Sequence, residues 1–398
     1  MWNLTLEAKK AFTQCNLLPI NETDEEWGMV LSEAKEEGED IHTALKDELE
    51  DVKAELQEVL PKLFLPYLED GTLNQPDLPA TVRADYLQWI KEQEEKFEDI
   101  LDAAYMQTTE AAASLSSTAQ AVFAAGIHDF VVERLERKGN DLHLFVNTEG
   151  GFSTASYIHF HFENITAEED PCLIMAGQYM LYSELKKMKD GFALRVLLDC
   201  PETEWTIHME NINAACYYRP SIYTQFRAEE KLEDLAWNDF VKQLNGEHSY
   251  WLITQDILSP IQSFTNNVQL VNGKVEFEKN KIIITSKNSQ SQYSLAEYHL
   301  ADFLYTDIYE DPDSQSNEPL AVEELEAAIL EGSIEMQVRA WNTIYHNPEI
   351  HLDLINSLLL QVEITEENEM LLSVYLTYFY EKDILTDEVS RKYQSLLL

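Results

Sequence analysis

Apolar residues recur every three or four positions as far as Gly126 and every second position beyond it, and this change of period constrains the fold more than any other feature of the chain. From Pro79, residues Val82, Tyr86, Ile90, Phe97, Ile100 and Leu101 fall on one stripe. Lys91, Glu92, Glu94, Glu95 and Glu98 take most of the remaining face, so the spacing predicts a long helix that packs on others. The run Glu33 to Leu60 places Ile41, Leu45, Leu49, Val52, Leu56 and Leu60 at similar intervals and ends at Pro61. The small residues of AAASLSSTAQAVFAA predict a closely packed helix stopping at Gly126.

Beyond Gly126, FVVERLERKGNDLHLFVNT reads as a hairpin around Gly139, Asn140 and Asp141. Strand candidates follow at 155–162, 192–200 and 205–212, which makes an antiparallel meander. Alternation places Ile158, Phe160 and Phe162 on one face and His159, His161 and Glu163 on the other. The same test turns His143 and His208 toward polar faces. From about Ala228 helices dominate again, interrupted by a hairpin near 268–287 that turns at Asn272 and Gly273. Two amphipathic segments meet at Asn347 and Pro348, and a further pair follows, compatible with HEAT-like stacking or with a plain bundle. The expected fold class is α+β, with an acidic helical region at 1–125, an antiparallel sheet domain at 126–227 and a mostly helical domain at 228–398.

The segments GIHDFVVERLERKGNDLHLFV, GGFSTASYIHFHFENI and LYSELKKMKDGFALRVLL, preceded by acidic helices, resemble domain-of-unknown-function family 4085, an uncharacterised family of Gram-positive bacterial proteins. The resemblance spans roughly Met1 to Arg227, and its signal lies in the pair His128 and Asp129 and in the turn Gly150-Gly151-Phe152. It implies a helical part joined to a β-rich part and brings no activity or catalytic residues. The His-Asp pair leading into a strand also resembles small β-domains of bacterial toxin-immunity proteins.

Charge narrows the partners. There are 73 Asp and Glu against 28 Lys and Arg, a net charge of −45, which makes nucleic acid and anionic membrane poor partners. The excess is concentrated in the flanks, with net −18 over 1–110 and −19 over 231–398 against −8 between them. Between Lys287 and Arg339 there are twelve acids and no lysine or arginine. Such a field fits a basic protein partner, for which Asp307, Glu310, Asp311, Asp313, Glu323, Glu324 and Glu326 are the candidate contacts. A saline or alkaline habitat would also produce so low an isoelectric point.

Four cysteines, Cys15, Cys172, Cys200 and Cys216, form no CxxC pair and suit a reducing cytoplasm. The first residues carry no export-signal pattern, and no apolar run approaches a membrane span. Walker A, GxGxxG, HExxH and GxSxG are absent, and the run DIYEDPDSQSNE lacks the ligand spacing of an EF-hand. His128 and Asp129 either fix the start of the sheet or act as an acid/base pair. No cofactor is expected on the first reading. The alternative is a metal-dependent hydrolase with a divalent ion on His159, His161, His143 and His208, which requires three or four ligands to converge on one point.

Overall fold

The structure is a computed structural model that describes residues 2–169, 172–264, 268–286, 289–311, 318–365 and 368–397. It is α+β with antiparallel sheets, and the chain divides into two compact units. The first comprises Met1–Tyr218, His248–Ala296 and Phe303–Ile308, the second Arg219–Glu247, Glu297–Asp302 and Tyr309–Leu398. This differs from three consecutive regions at 1–125, 126–227 and 228–398, because strands between 250 and 306 join the sheet-bearing unit.

Helices lead the first unit: α1 (Leu6–Cys15), α2 (Asp24–Glu37), α3 (Ile41–Val59), α4 (Leu65–Glu69), α5 (Ala80–Ala112) and α6 (Ser117–Ala125). The run read as one helix from Glu33 is two. Gly38 adopts φ +74° and closes α2, and the Asp40 carboxylate accepts from Thr43 N–H at the start of α3. The stripe residues Leu49, Leu56 and Leu60 meet Val82 and Tyr86 of α5 around Phe64 and Leu68. Tyr86 satisfies its buried hydroxyl by donating to Leu18 O at 3.1 Å. Lower down α5, Phe97 stacks on Phe12 at 4.6 Å and meets Tyr182 edge-on at 5.5 Å, which seats the helix on the sheet.

Six strands, β1 (Phe130–Lys138), β2 (Asp141–Asn147), β3 (Tyr157–Glu168), β4 (Tyr179–Met188), β5 (Gly191–Asp199) and β6 (Thr203–Tyr217), form a closed antiparallel barrel in the order β1-β2-β3-β6-β5-β4. Two three-stranded meanders therefore close on each other, β3 against β6 and β1 against β4. Inward residues Leu142, Leu144, Val146, Phe160, Phe162, Leu194, Val196, Trp205 and Ile207 fill the interior. Ala119, Val122 and Phe123 of α6 add to the same core.

A seven-stranded antiparallel sheet completes the unit: β7 (Tyr250–Ile253), β8 (Leu258–Ser263), β9 (Gln269–Leu270), β10 (Gly273–Glu278), β11 (Lys281–Ser286), β12 (Ser289–Ser294) and β13 (Leu304–Thr306), ordered β12-β11-β10-β9-β8-β7-β13. The hairpin expected near 268–287 is its β9-β10-β11 portion. Phe145, Tyr157 and Tyr217 on the outside of the barrel pack with Ile253 and Tyr305 of this sheet, and Tyr218 bridges to Thr306.

In the second unit, α7 (Ser221–Ala228) and α8 (Trp237–Val241) precede α9 (Val322–Glu331), α10 (Ile334–His346), α11 (Leu352–Gln361), α12 (Glu369–Glu381) and α13 (Asp387–Lys392). Trp341, Ile344, Leu358, Leu376 and Phe379 form its core. Tyr393 and Lys392 donate to the terminal carbonyls of α11, satisfying groups that the helix leaves open.

Candidate functional site

Three of the four candidate histidines meet on the outer face of the barrel. Register puts His143 opposite His161 and Phe145 opposite His159 across β2 and β3. The rings form a ladder: Phe145 on His159 at 4.4 Å and 6°, His159 on His143 at 5.1 Å, His143 on His161 at 4.4 Å and 8°. The Arg134 guanidinium covers the Phe145 end at 3.9 Å. At the other end, His161 lies 3.3 Å from an Asp141 oxygen and 3.6 Å from Glu163. Asn211 and Asn213 of β6 hold Glu163 in place by donating to it.

Face-to-face stacking directs ring nitrogens along the ladder's edges. His143 Nδ1 and His159 Nε2 share one hydrogen bond of 2.9 Å, the proton residing on either ring. Burial, then the His143 and His161 imidazoles and Arg134, push the His159 pKa down to about 4. Burial and the neighbouring His161 also lower that of His143. His159 and His143 are thereby biased toward the neutral form.

His208 stands apart from the ladder. It faces Ala167 and Ala193, six positions along β3 from His161 and thus roughly 20 Å away. Among the described residues no group of three or more His, Cys, Asp or Glu is placed to hold a metal ion. The set His159, His161, His143 and His208 therefore does not converge as the hydrolase alternative requires, because in-register strands stack the rings side by side.

The His128-Asp129 pair and the Gly-Gly-Phe turn prove to be one locus. His128 Nδ1 lies 2.9 Å from Asp129 Oδ2, and Asp129 takes φ +60° while its N–H donates to Met180 O. Gly151 runs directly beneath: a Cβ there would sit 2.5 Å from His128 O and 3.2 Å from the Phe130 ring. Both the turn and the pair thus set the path of the chain into β1.

The acidic candidates separate into distinct settings. Asp307 is exposed. Glu310 is committed to structure, its Oε2 accepting from Ser221 N and Oγ at 2.7 Å at the head of α7. Asp311 is half-buried, and Asp313 lies outside the described residues. On α9, Leu325, Ala328 and Ile329 are buried while Glu323, Glu324 and Glu326 are exposed, with Glu324 also accepting from Ala321 N–H.

A charged site on the opposite side of the barrel escaped sequence reasoning. Glu184 is fully buried, and its two oxygens accept from Asn3 N, Leu4 N and Asn3 Nδ2 at 2.8 to 2.9 Å. Lys186 and Arg195 flank the Trp2 ring at 4.4 and 4.9 Å, and Arg195 reaches Glu204 at 2.7 Å. Residues 2–6 are thereby strapped across β4, β5 and β6. The strand candidates read from the sequence do not include this stretch, and a glutamate in it does not reveal a partner some 180 residues away.

No curated protein and no solved structure matches the chain significantly. A family profile described as a protein of unknown function (DUF4085) matches residues 6–209, which takes in α1 through β5 and the first half of β6, hence most of the barrel with its helices. With half of its length so matched, and with the paired loop and turn packed as one locus inside the match, the chain belongs to the DUF4085 family.

Proposed function

We propose that the protein is a non-catalytic cytoplasmic interaction protein whose acidic surface binds a basic protein partner, as an immunity protein, inhibitor or DNA mimic does. The observation that carries this reading is the one-sided charge. The stretch between Lys287 and Arg339 has twelve acids and no lysine or arginine, and α9 buries its apolar stripe while Glu323 and Glu326 remain exposed. Arg339, the first cation after that stretch, is already held by Glu318 through its carbonyl and its carboxylate. Little local cation is left to neutralise the row, so an incoming basic surface would meet a field that raises its association rate and selects against acidic competitors. Asp307, Asp311 and Asp313 belong to the same acidic stretch of sequence ahead of α9. Four cysteines with no CxxC pair suit a reducing compartment, and no helix among the described residues is long and apolar enough to cross a membrane.

The test is capture of partners on the immobilised protein at low and high salt, repeated with Glu323→Lys and Glu326→Lys combined. The expected result is a stoichiometric basic protein released as salt rises and retained several-fold less by the charge-reversed variant. A blank at low salt, or capture indifferent to both salt and the reversal, overturns the reading.

A further inference from the structure

β12 ends the seven-stranded sheet with a neighbour on one side only among the described residues. Its far edge can be worked out residue by residue. β11 and β12 pair without a break from Lys281↔Ser294 to Ser286↔Ser289, and just beyond, Leu295 N donates to Asn280 O at 2.9 Å. Since hydrogen-bonded and non-hydrogen-bonded pairs alternate in an antiparallel ladder, Tyr293, Ser291 and Ser289 bond to β11. Gln290, Gln292 and Ser294 therefore turn their N–H and C=O groups away from the sheet. Gln290 and Gln292 are exposed and Ser294 is half-buried.

Edges of this kind are ordinarily guarded by a charge, a proline or a bulge. The sequence SQSQYS contains no charged residue and no proline, and its pairing with β11 has no register shift. From β11, Lys281 Nζ donates to Gln292 Oε1 at 3.2 Å and leaves the outward backbone groups untouched. At the sheet's other end, β13 is met by the bridge from Tyr218. Electrostatics single out the same place. Residues 256–297 carry four lysines and four carboxylates, among them Asp256, which accepts from Ser291 Oγ of β12, in a chain of net charge −45, so the general excess of carboxylates that would hold two copies apart is missing here.

We propose that β12 is a docking edge for a second copy of this chain. The two β12 strands run antiparallel about a two-fold axis through Gln292, with Gln290 opposite the partner's Ser294 and Gln292 opposite its own counterpart. Only this even register sets outward-facing groups against one another over the whole strand, and it forms about six backbone hydrogen bonds. Facing glutamine side chains can also bond across the axis. The two sheets become one. Long-range repulsion between the −45 chains opposes the pairing, so screening by salt strengthens it.

Light scattering on the purified full-length chain across protein concentration and salt tests this. The expected result is a mass moving from the 46.0 kDa chain toward twice that value as salt or protein rises. Gln292→Pro should abolish the heavier species with an unchanged circular dichroism spectrum, because that N–H makes no bond to β11. Gln292→Lys, which keeps the backbone intact and sets two cations face to face, should weaken association at least tenfold. A monomer under all conditions overturns the proposal, as it would if the edge instead received an extended segment of some other protein. A dimer that survives both substitutions overturns it equally.

Discussion

His159 is held neutral by its surroundings, and the consequence can be measured. Its pKa of about 4 in the folded chain lies below the ordinary histidine value of 6.5, so the unfolded chain takes up a proton first as the pH falls. The stabilisation is complete above pH 6.5, declines from there to about pH 4 and is constant below. It amounts to about 3 kcal/mol. Because acidification also relieves repulsion among 73 carboxylates, the contribution should be read as a difference: urea unfolding of the wild type against His159→Phe from pH 7 to 4, with the variant losing less stability. Phenylalanine keeps the stack on Phe145, and an identical slope in both proteins would contradict the account. Alternation along β3 was enough to bring His159 and His161 to one face from sequence. That they stack depends on the register of β2 against β3, which a pairing between distant segments sets and a single sequence does not display.

Turns and strands show where local signals suffice. The β1-β2 hairpin was legible because Gly139, at φ +64°, sits between two runs of period two. The break at Gly38 was missed, since apolar spacing continues on both sides while a left-handed glycine closes one helix and Asp40 opens the next. β4 was hidden by the charges of YSELKK, two of which serve the strap over residues 2–6 rather than solvent. Barrel closure itself is a long-range outcome, resting on Phe130 and Val131 meeting Met180 and Tyr179. The adjacent glycines at the start of the sheet offer a paired test. Gly151→Ala forces a Cβ to 2.5 Å from a backbone oxygen and should cost about 1–3 kcal/mol. Gly150→Ala meets its nearest neighbour at 3.7 Å and should stay within about 0.5 kcal/mol. Thermal unfolding of the two variants side by side checks the difference.

Across the whole molecule the acidic excess opposes compaction. The favourable ion pairs draw on only 28 cations, so repulsion among the remaining carboxylates dominates what salt can screen. Raising the ionic strength from about 0.01 M to 0.15 M shortens the screening length from about 30 Å to 8 Å, and the apparent melting temperature should rise by several degrees in sodium chloride. A fall would mean that the attractive pairs outweigh the repulsion. Net charge and the α+β class were plain in the composition and period, whereas the division into units was not, because the chain leaves the sheet-bearing unit after Tyr218 and returns at His248 and again at Phe303. That itinerary also sets a timetable. The barrel's last strand ends at Tyr217, but Tyr305, which covers the outer face of Phe145, Tyr157 and Tyr217, is made about 90 residues later, roughly 5–20 s at ordinary rates of translation. During synthesis this aromatic face waits beside a finished barrel, first for Trp251 and Ile253 and last for Tyr305, and a nascent chain incompletely covered for that interval risks sticking to its neighbours on the polysome.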